Sequence, residues 1–464
     1  MTCAGRANAA AINEARTAAK VARDGVLESR AMTEQIVKPA RGLVGTARLP
    51  GDKSISHRLA LLGALAEGAT TLENYSTGDD CRRTLDCLAE LGVSLKVTDD
   101  DRAGRRVRLE GCGLGGLQAP AGELEAGNSG STLRMLAGVL AAHPFESVLA
   151  GDTSLNQRPM RRVMEPLRQM GATLTARDGE YPPLRIRGGP LQPIEYALPV
   201  ASAQVKTAIL LAGLHAPGAT IVEEPLRTRD HTEIALEQFG ASLERERRRI
   251  TVYGRPRLRG KTFHIPNDLS AAAFLLVAAL LLPESNLVLP AVGLNPTRTA
   301  LLDFLAGQGA GIKILDVEEA EGELRGDLHV RGGARLKGGS IEGSLTVALI
   351  DELPVLAVLG TQSEEGLRLR DAAELRVKES DRLGALAENL RRLGATVREY
   401  PDGLDIAGRQ PLKGAELDSF GDHRLAMALA VAGLVATGET LIRNADCVEI
   451  SFPGFFEMLD ALRG

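Results

Sequence analysis

The sequence has no tryptophan, only five tyrosines and nine phenylalanines, so it offers few flat aromatic faces on which bases or sugar rings stack. Its ligands must be held by charge and hydrogen bonds. Cysteine is scarce: Cys3, Cys81, Cys87, Cys112 and Cys447 include no C-x-x-C pair, a pattern that favours neither a zinc site nor a disulfide framework and fits a reducing cytoplasm. The longest apolar run, Leu269 to Leu282, stops at Pro283, short of the roughly 20 residues that cross a bilayer. Nor is there an excess of positive charge. Lys and Arg total 55 against 60 Asp and Glu, a formal charge of -5, which argues against a broad nucleic-acid footprint and leaves room only for local basic pockets.

What is present is core-forming material. The 464 residues are 44% hydrophobic and 25% charged, values of a soluble globular protein with two large or three ordinary domains. Residues 1–35 are rich in Ala and Arg, yet Glu14, Asp24 and Glu28 spoil a transit peptide and no apolar h-region exists. They read as a disordered or mis-assigned extension before the strand-like Ile36-Val37-Lys38, with Met32 as a candidate start.

A repeat then organises the chain. Helical runs end in Leu91-Gly92-Val93, Met170-Gly171-Ala172, Phe239-Gly240-Ala241, Gln308-Gly309-Ala310 and Leu393-Gly394-Ala395, each glycine standing where a left-handed cap closes a helix. The spacing implies six units of one supersecondary plan. Each unit also carries a helix apolar nearly all round: Leu59 to Leu65, Leu133 to Ala142, Thr207 to Leu214, Ala271 to Leu282, Leu353 to Leu359 and Leu425 to Ala436. Such helices must be buried on every side, so sheets are expected to wrap around them in two lobes of three units. The seams fall near Gly51-Asp52-Lys53 and Ile265-Pro266-Asn267-Asp268. That division gives residues 36–52 plus 265–464 as one domain and 53–264 as the other.

The chemistry gathers where the apolar helices begin. Lys53-Ser54-Ile55-Ser56-His57-Arg58, Asn128-Ser129-Gly130-Ser131-Thr132-Leu133-Arg134, Ser202-Ala203-Gln204-Val205-Lys206, Ile350-Asp351-Glu352 and Gly421-Asp422-His423-Arg424 each combine capping residues with charged or amide groups. A cation at a helix N-terminus is locally unfavourable, and a bound anion is the simplest compensation. The partner helices add Gln157-Arg158-Pro159, Arg227-Thr228-Arg229-Asp230-His231-Thr232-Glu233, Asn295-Pro296-Thr297-Arg298 and Lys378-Glu379-Ser380-Asp381-Arg382. Several arginines with two lysines suit at least two anionic groups in one cleft. The bland alternative is that these residues only cap helices and form surface ion pairs.

Together, Leu49-Pro50-Gly51-Asp52-Lys53-Ser54-Ile55-Ser56-His57-Arg58, Gly127-Asn128-Ser129-Gly130, Gln157-Arg158-Pro159-Met160, Arg376-Val377-Lys378-Glu379-Ser380-Asp381-Arg382 and Gly421-Asp422-His423-Arg424 resemble the signatures of the 5-enolpyruvylshikimate-3-phosphate synthases. The likeness runs from about Ile36 to the C-terminus. Gly51-Asp52-Lys53-Ser54, Ser202-Ala203-Gln204-Val205-Lys206, Arg229-Asp230-His231-Thr232-Glu233 and Asn295-Pro296-Thr297-Arg298 further resemble the class II branch, whose members are often glyphosate tolerant.

The resemblance implies a two-lobed inside-out α/β barrel of six βαβαββ units. It also implies transfer of the enolpyruvyl group of phosphoenolpyruvate to the 5-hydroxyl of shikimate 3-phosphate, releasing phosphate. By the same likeness Lys53, Ser54, Arg58, Ser202, Ala203, Gln204, Arg229, Asp351 and Lys378 contact shikimate 3-phosphate. Lys53, Gly130, Ser131, Arg158, Gln204, Arg382 and Arg424 form the phosphoenolpyruvate side. Glu379 is assigned the C3 proton and Asp351 the hydroxyl proton, with Lys53 as a third catalytic group, while His423 reads as a structural donor. No metal or organic cofactor is expected, the only partners are the two substrates, and the chain is expected to be a cytoplasmic monomer.

Two positions depart from class I: Ile450 precedes Ser451-Phe452-Pro453 where a lysine is usual, and Glu374 replaces Asn. The rival readings are the related transferase acting on UDP-N-acetylglucosamine, whose loop cysteine motif Cys112 does not match, and a non-catalytic anion-binding scaffold, which has no use for Glu379. Gly130 argues for glyphosate sensitivity and the class II motifs for tolerance; the motifs carry the greater weight.

Overall fold

The computed structural model describes residues 33–100 and 104–464. Its architecture follows from the two helix types in the sequence. Leu269–Leu281 has no polar face, and every residue from Leu269 to Leu280 is buried, because such a helix is stable only where protein surrounds it. Lys53–Leu65, Gly130–Leu140, Ala203–Gly213, Leu353–Gln362 and His423–Val435 behave alike. The partner helices bury one stripe. In Asp79–Glu90 the buried positions include Cys81, Leu85 and Leu88, a helical spacing that leaves the opposite face to water.

All five predicted glycine caps form. Gly92, Gly171, Gly240, Gly309 and Gly394 have φ of 89°, 112°, 94°, 89° and 89°. The residue after each glycine donates back to a carbonyl of the last turn, as Val93 N does to Leu88 O at 3.0 Å and Ala395 N to Leu390 O at 2.9 Å. This pairing satisfies carbonyls that the helix end leaves open.

Among the described residues, six small sheets enclose the inner helices. Leu124–Glu125 pairs parallel with Glu146–Ala150, which pairs antiparallel with Tyr181–Arg187, itself antiparallel to Thr173–Arg177: one complete βαβαββ unit. Two sheets take their first strand from a distant part of the chain. Thr262–His264 pairs with Glu67–Tyr75, and Val44–Thr46 with Asn286–Gly293. The sixth sheet has three strands, with Glu34–Val37 antiparallel to Thr440–Arg443 and Glu416–Asp418 parallel to it.

The buried apolar side chains form two clusters. One holds Val37 to Leu49 with Leu269 to Leu462, the other Ile55 to Ile265. The chain crosses between them twice, side by side: Asp52 N donates to Pro266 O at 2.8 Å and Asp268 N to Pro50 O at 3.0 Å. Glycine is required here, since a Cβ on Gly51 would lie 1.8 Å from Asn74 O.

Of the extension expected over 1–35, residues 1–32 lie outside the described residues. Thr33 to Gln35 depart from that expectation: Gln35 sits opposite Ile442 in the sheet and Thr33 O accepts from Ala445 N at 3.0 Å. Among the described residues no helix is long and apolar enough to cross a membrane.

Candidate active site

Each inner helix begins inside one of the sequence motifs, and side-chain caps fix where it begins. Asp52 Oδ1 accepts from Ile55 N at 2.9 Å, Ser129 Oγ from Thr132 N at 3.1 Å, Ser202 Oγ from Val205 N at 3.4 Å, and Asp422 Oδ1 from Arg424 N at 2.9 Å. Buried hydroxyls then tie neighbouring helix starts together. His57 Nδ1 lies 2.7 Å from Thr84 Oγ1, Thr84 Oγ1 2.7 Å from Thr132 Oγ1, and Thr132 donates to Ser129 Oγ at 2.8 Å. The starts of the first two inner helices of one lobe are thereby held together, and the ion pairs that follow join them to the other lobe across a cleft.

Two carboxylates occupy that cleft, each gripped by arginines from both lobes. Arg382 NH2 donates to Glu379 Oε2 at 2.6 Å, and Arg158 NH1, from the opposite lobe, lies 3.5 Å from Glu379 Oε1. Asp351 is ion-paired with Arg229 of the opposite lobe and lies 3.7 Å from Arg424 NH2, while its carbonyl accepts from Arg424 NH1 at 2.9 Å. Burial alone would raise both carboxyl pKa values. Arg382 and Arg158 instead hold Glu379 well below the usual carboxylate range, and Arg424 and Arg229 do the same for Asp351. Both are ionised.

The arginines are themselves aimed. Asp422, 0% exposed, accepts from Arg382 Nε at 2.7 Å, and Asn128 Oδ1 accepts from Arg158 NH2 at 2.7 Å. Ser154 Oγ donates to Glu379 O at 3.1 Å, a further bond across the cleft. Lys53 Nζ donates to Asp80 Oδ2 at 3.0 Å. Burial opposes the charge on Lys53, but Asp80, helped by Glu379, raises its pKa above the ordinary lysine value despite Arg424. Lys378 is 3.9 Å from Glu374, and burial lowers its pKa. Gln204 Nε2 donates to Ser131 Oγ at 2.8 Å, which joins the second and third inner helices beside Gly130. Ser54 and Ala203 fall in the first turns of their helices.

Several expectations need correction. Lys206 and Arg298 do not wait for an anion. Lys206 is buried 2.6 Å from Glu233 and 3.2 Å from Glu224, and Arg298 is buried 3.6 Å from Asp268 and 3.9 Å from Asp52. The class II motifs are thus largely complementary halves: Lys206 of one meets Glu233 of another, and Asp230 accepts from Asn295 Nδ2 at 2.9 Å. Arg58 has three of its five donors engaged by Ser54 O, Thr207 Oγ1 and Thr232 Oγ1 at 2.8, 3.1 and 2.7 Å, so it ties three helices together at the edge of the cleft. His423 does not act as a structural donor: neither ring nitrogen has a hydrogen-bond partner, and burial together with Lys53 keeps the ring neutral.

Glu374 pairs across the cleft with Arg162 at 3.3 Å. At the other departure from class I, Ile450 O lies 2.7 Å from where a Gly78 Cβ would stand. Cys112, expected in a turn, instead ends the strand Gly104–Cys112 opposite Glu67, one residue before the turn that begins at Gly113.

Sequence reasoning missed Asp80, and it placed Asp422 and Arg134 in motifs without giving either a role. Asp80 follows Asp79 at a helix start and reads as a macrodipole complement. Nothing local marks it as the partner of Lys53.

The family model for EPSP synthase (3-phosphoshikimate 1-carboxyvinyltransferase) matches residues 37–459. The chain is 56% identical over 426 residues to a 3-phosphoshikimate 1-carboxyvinyltransferase of Solibacter usitatus, covering 92% of this chain and 99% of that protein. It is 51% identical over 424 residues to the protein of that name in Pelotomaculum thermopropionicum, covering 91% and 97%. A solved EPSP synthase structure from Acinetobacter baumannii superposes with a TM-score of 0.81 at 40% identity, covering 93% of this chain and 98% of that one.

Proposed function

The chain belongs to the EPSP synthase family, and we propose from that premise how its cleft performs the family's reaction. The protein transfers the enolpyruvyl group of phosphoenolpyruvate to the 5-hydroxyl of shikimate 3-phosphate, a step of the shikimate pathway to the aromatic amino acids. Each substrate carries a phosphate and a carboxylate. Lys53, Arg158, Arg382 and Arg424, with Gly130, Ser131 and Gln204, hold phosphoenolpyruvate. Lys53, Ser54, Arg58, Ser202, Ala203, Gln204, Arg229, Asp351 and Lys378 hold shikimate 3-phosphate.

The observation that carries these roles is the pair of carboxylates, Glu379 and Asp351, each clamped by one arginine from either lobe. Without substrate the arginines keep both ionised. Phosphoenolpyruvate competes for Arg158 and Arg382, so its binding weakens their hold on Glu379 and raises its pKa toward a value that permits protonation. Glu379 then delivers a proton to C3 of the enol, C2 becomes electrophilic, and the 5-hydroxyl oxygen bonds to C2 as Asp351 takes its proton. In the elimination the C3 methyl returns a proton to Glu379. The C2–O bond to phosphate breaks, and Lys53 with the arginines meets the charge on the departing phosphate.

The two apolar clusters support a division into residues 36–52 plus 265–464 and residues 53–264. We read the chain as a cytoplasmic monomer. A phosphate-release assay with phosphoenolpyruvate tests the reading. Release with shikimate 3-phosphate and none with UDP-N-acetylglucosamine is expected; the reverse would overturn it.

A further inference from the structure

Among the described residues, the buried cations other than Arg58 have a carboxylate at hand. Lys206, Arg298 and Arg382 each lie within 4.0 Å of at least one. Arg134 differs. It sits one turn after Gly130 on the Gly130–Leu140 helix, half-buried, and its hydrogen bond goes from NH1 to the uncharged Oε1 of Gln204 at 2.8 Å. Burial and the nearby Arg158 push its pKa down to about 10, the mark of a positive charge placed beside another with too little negative charge in return.

The position of that charge is defined by Gly130. A Cβ built on Gly130 would lie 2.7 Å from Arg134 NH1 and 3.5 Å from Arg158 NH1, so both guanidinium groups reach over the same bare stretch of backbone. Gln204, whose carboxamide accepts from Arg134, donates its own Nε2 to Ser131 Oγ at 2.8 Å. Arg134 therefore lies within the same hydrogen-bonded patch as Gly130, Ser131, Arg158 and Gln204. Two guanidiniums that repel each other over a surface without a side chain make a fitting seat for a small dianion.

We propose that Arg134 is a further specificity-determining contact for phosphoenolpyruvate, adding to Arg158 a second guanidinium over Gly130 and fixing the carboxamide of Gln204. This rests on the reading that the cleft takes phosphoenolpyruvate. It also changes the meaning of the glycine: a methyl group at residue 130 meets Arg134 before it meets any ligand, so its first effect is to displace a cation.

Steady-state kinetics on the full chain test this. Arg134→Gln keeps an amide but loses the charge, and should raise the KM for phosphoenolpyruvate about ten-fold or more, the scale of a hydrogen bond to a charged group. The KM for shikimate 3-phosphate, which Arg134 reaches only through Gln204, should rise several-fold less. Arg134→Lys, which restores the charge, should recover most of the loss. The cost of Gly130→Ala in phosphoenolpyruvate KM should largely vanish in the Arg134→Gln background. An unchanged phosphoenolpyruvate KM in Arg134→Gln, an equal rise for both substrates, or a lysine variant no better than glutamine would each overturn the proposal. Arg134→Met replaces the glutamine variant if the latter does not fold. Failure of the unmodified chain to release phosphate from the two substrates would instead sink the underlying assignment.

Discussion

Arg229 and Asp351 form an ion pair that spans the cleft, one residue from each lobe. Burial works to raise the Asp351 pKa, but Arg424 and Arg229 bring it well below the ordinary value. A base of this kind is active above its pKa and lost as pH falls through it. Arg229→Gln removes one of the lowering charges, so the acid limb of the kcat profile at saturating substrates is expected to move to higher pH. A limb that stays in place would remove Asp351 from the role of base.

Glu379→Gln is expected to lower kcat by about 10²–10⁴-fold, the usual yield of general acid–base work. Affinity for phosphoenolpyruvate should not fall, because the amide no longer competes for Arg382 and Arg158. Titration calorimetry beside turnover separates the two effects. A variant that binds weakly and turns over normally would contradict both parts.

A buried ion pair is expected to show itself in stability rather than catalysis. Lys206 and Glu233 come from different motifs and meet 2.6 Å apart, each with about 1–2% of its side chain exposed. Lys206→Met leaves Glu224 and Glu233 buried without their cation and should cost about 3–5 kcal/mol. Lys206→Met combined with Glu233→Met should recover part of this. Urea midpoints of the two variants decide it, and a single variant within about 0.5 kcal/mol of the parent would show that the pair contributes nothing.

These pairs also show what the sequence could and could not say. The inner helices were legible because an all-round apolar pattern has one physical outcome, burial. The glycine caps were legible because a left-handed turn at a helix end needs glycine at one place. Lys53, Arg158, Glu379 and Arg382 were legible as a group, by resemblance and as charged groups at helix starts. Their partners were not. Lys53 finds Asp80, and Arg298 finds Asp52 and Asp268, through tertiary packing, and a motif carries no mark of the direction in which its side chain points. Lys206, four residues after the Ser202 cap, likewise turns inward to Glu224 and Glu233.

Acid lability is expected from buried neutral imidazoles. His57 and His423 are 0% and 1% exposed, and burial first, then Lys53, holds both well below the ordinary histidine pKa. Each binds a proton near pH 6.5 in the unfolded chain but not in the folded one. The stability they permit is therefore complete above that value and is lost as pH falls toward their folded pKa. Each contributes up to about 1.4 kcal/mol per pH unit. Urea midpoints that do not fall between pH 7 and pH 5 would contradict this.

The last expectation concerns glyphosate, an anion longer than the phosphoenolpyruvate it rivals. Gly130 leaves the seat between Arg134 and Arg158 open, which favours the inhibitor. Against this, Arg229 is paired with Asp351 across the cleft, and Ile450 stands where class I enzymes carry a lysine, so one cation fewer is offered to the inhibitor's second anionic group. Charge outweighs the missing methyl, because a lost charge-assisted hydrogen bond costs about 1.5–3 kcal/mol. The unmodified enzyme is therefore expected to tolerate glyphosate. Gly130→Ala should weaken the inhibitor further and more than it weakens phosphoenolpyruvate, since the longer molecule relies on the whole seat that a displaced Arg134 narrows. Parallel inhibition and substrate titrations decide it: tight inhibition of the unmodified enzyme would show that the open seat dominates, and equal losses for the two ligands in Gly130→Ala would show that length plays no part.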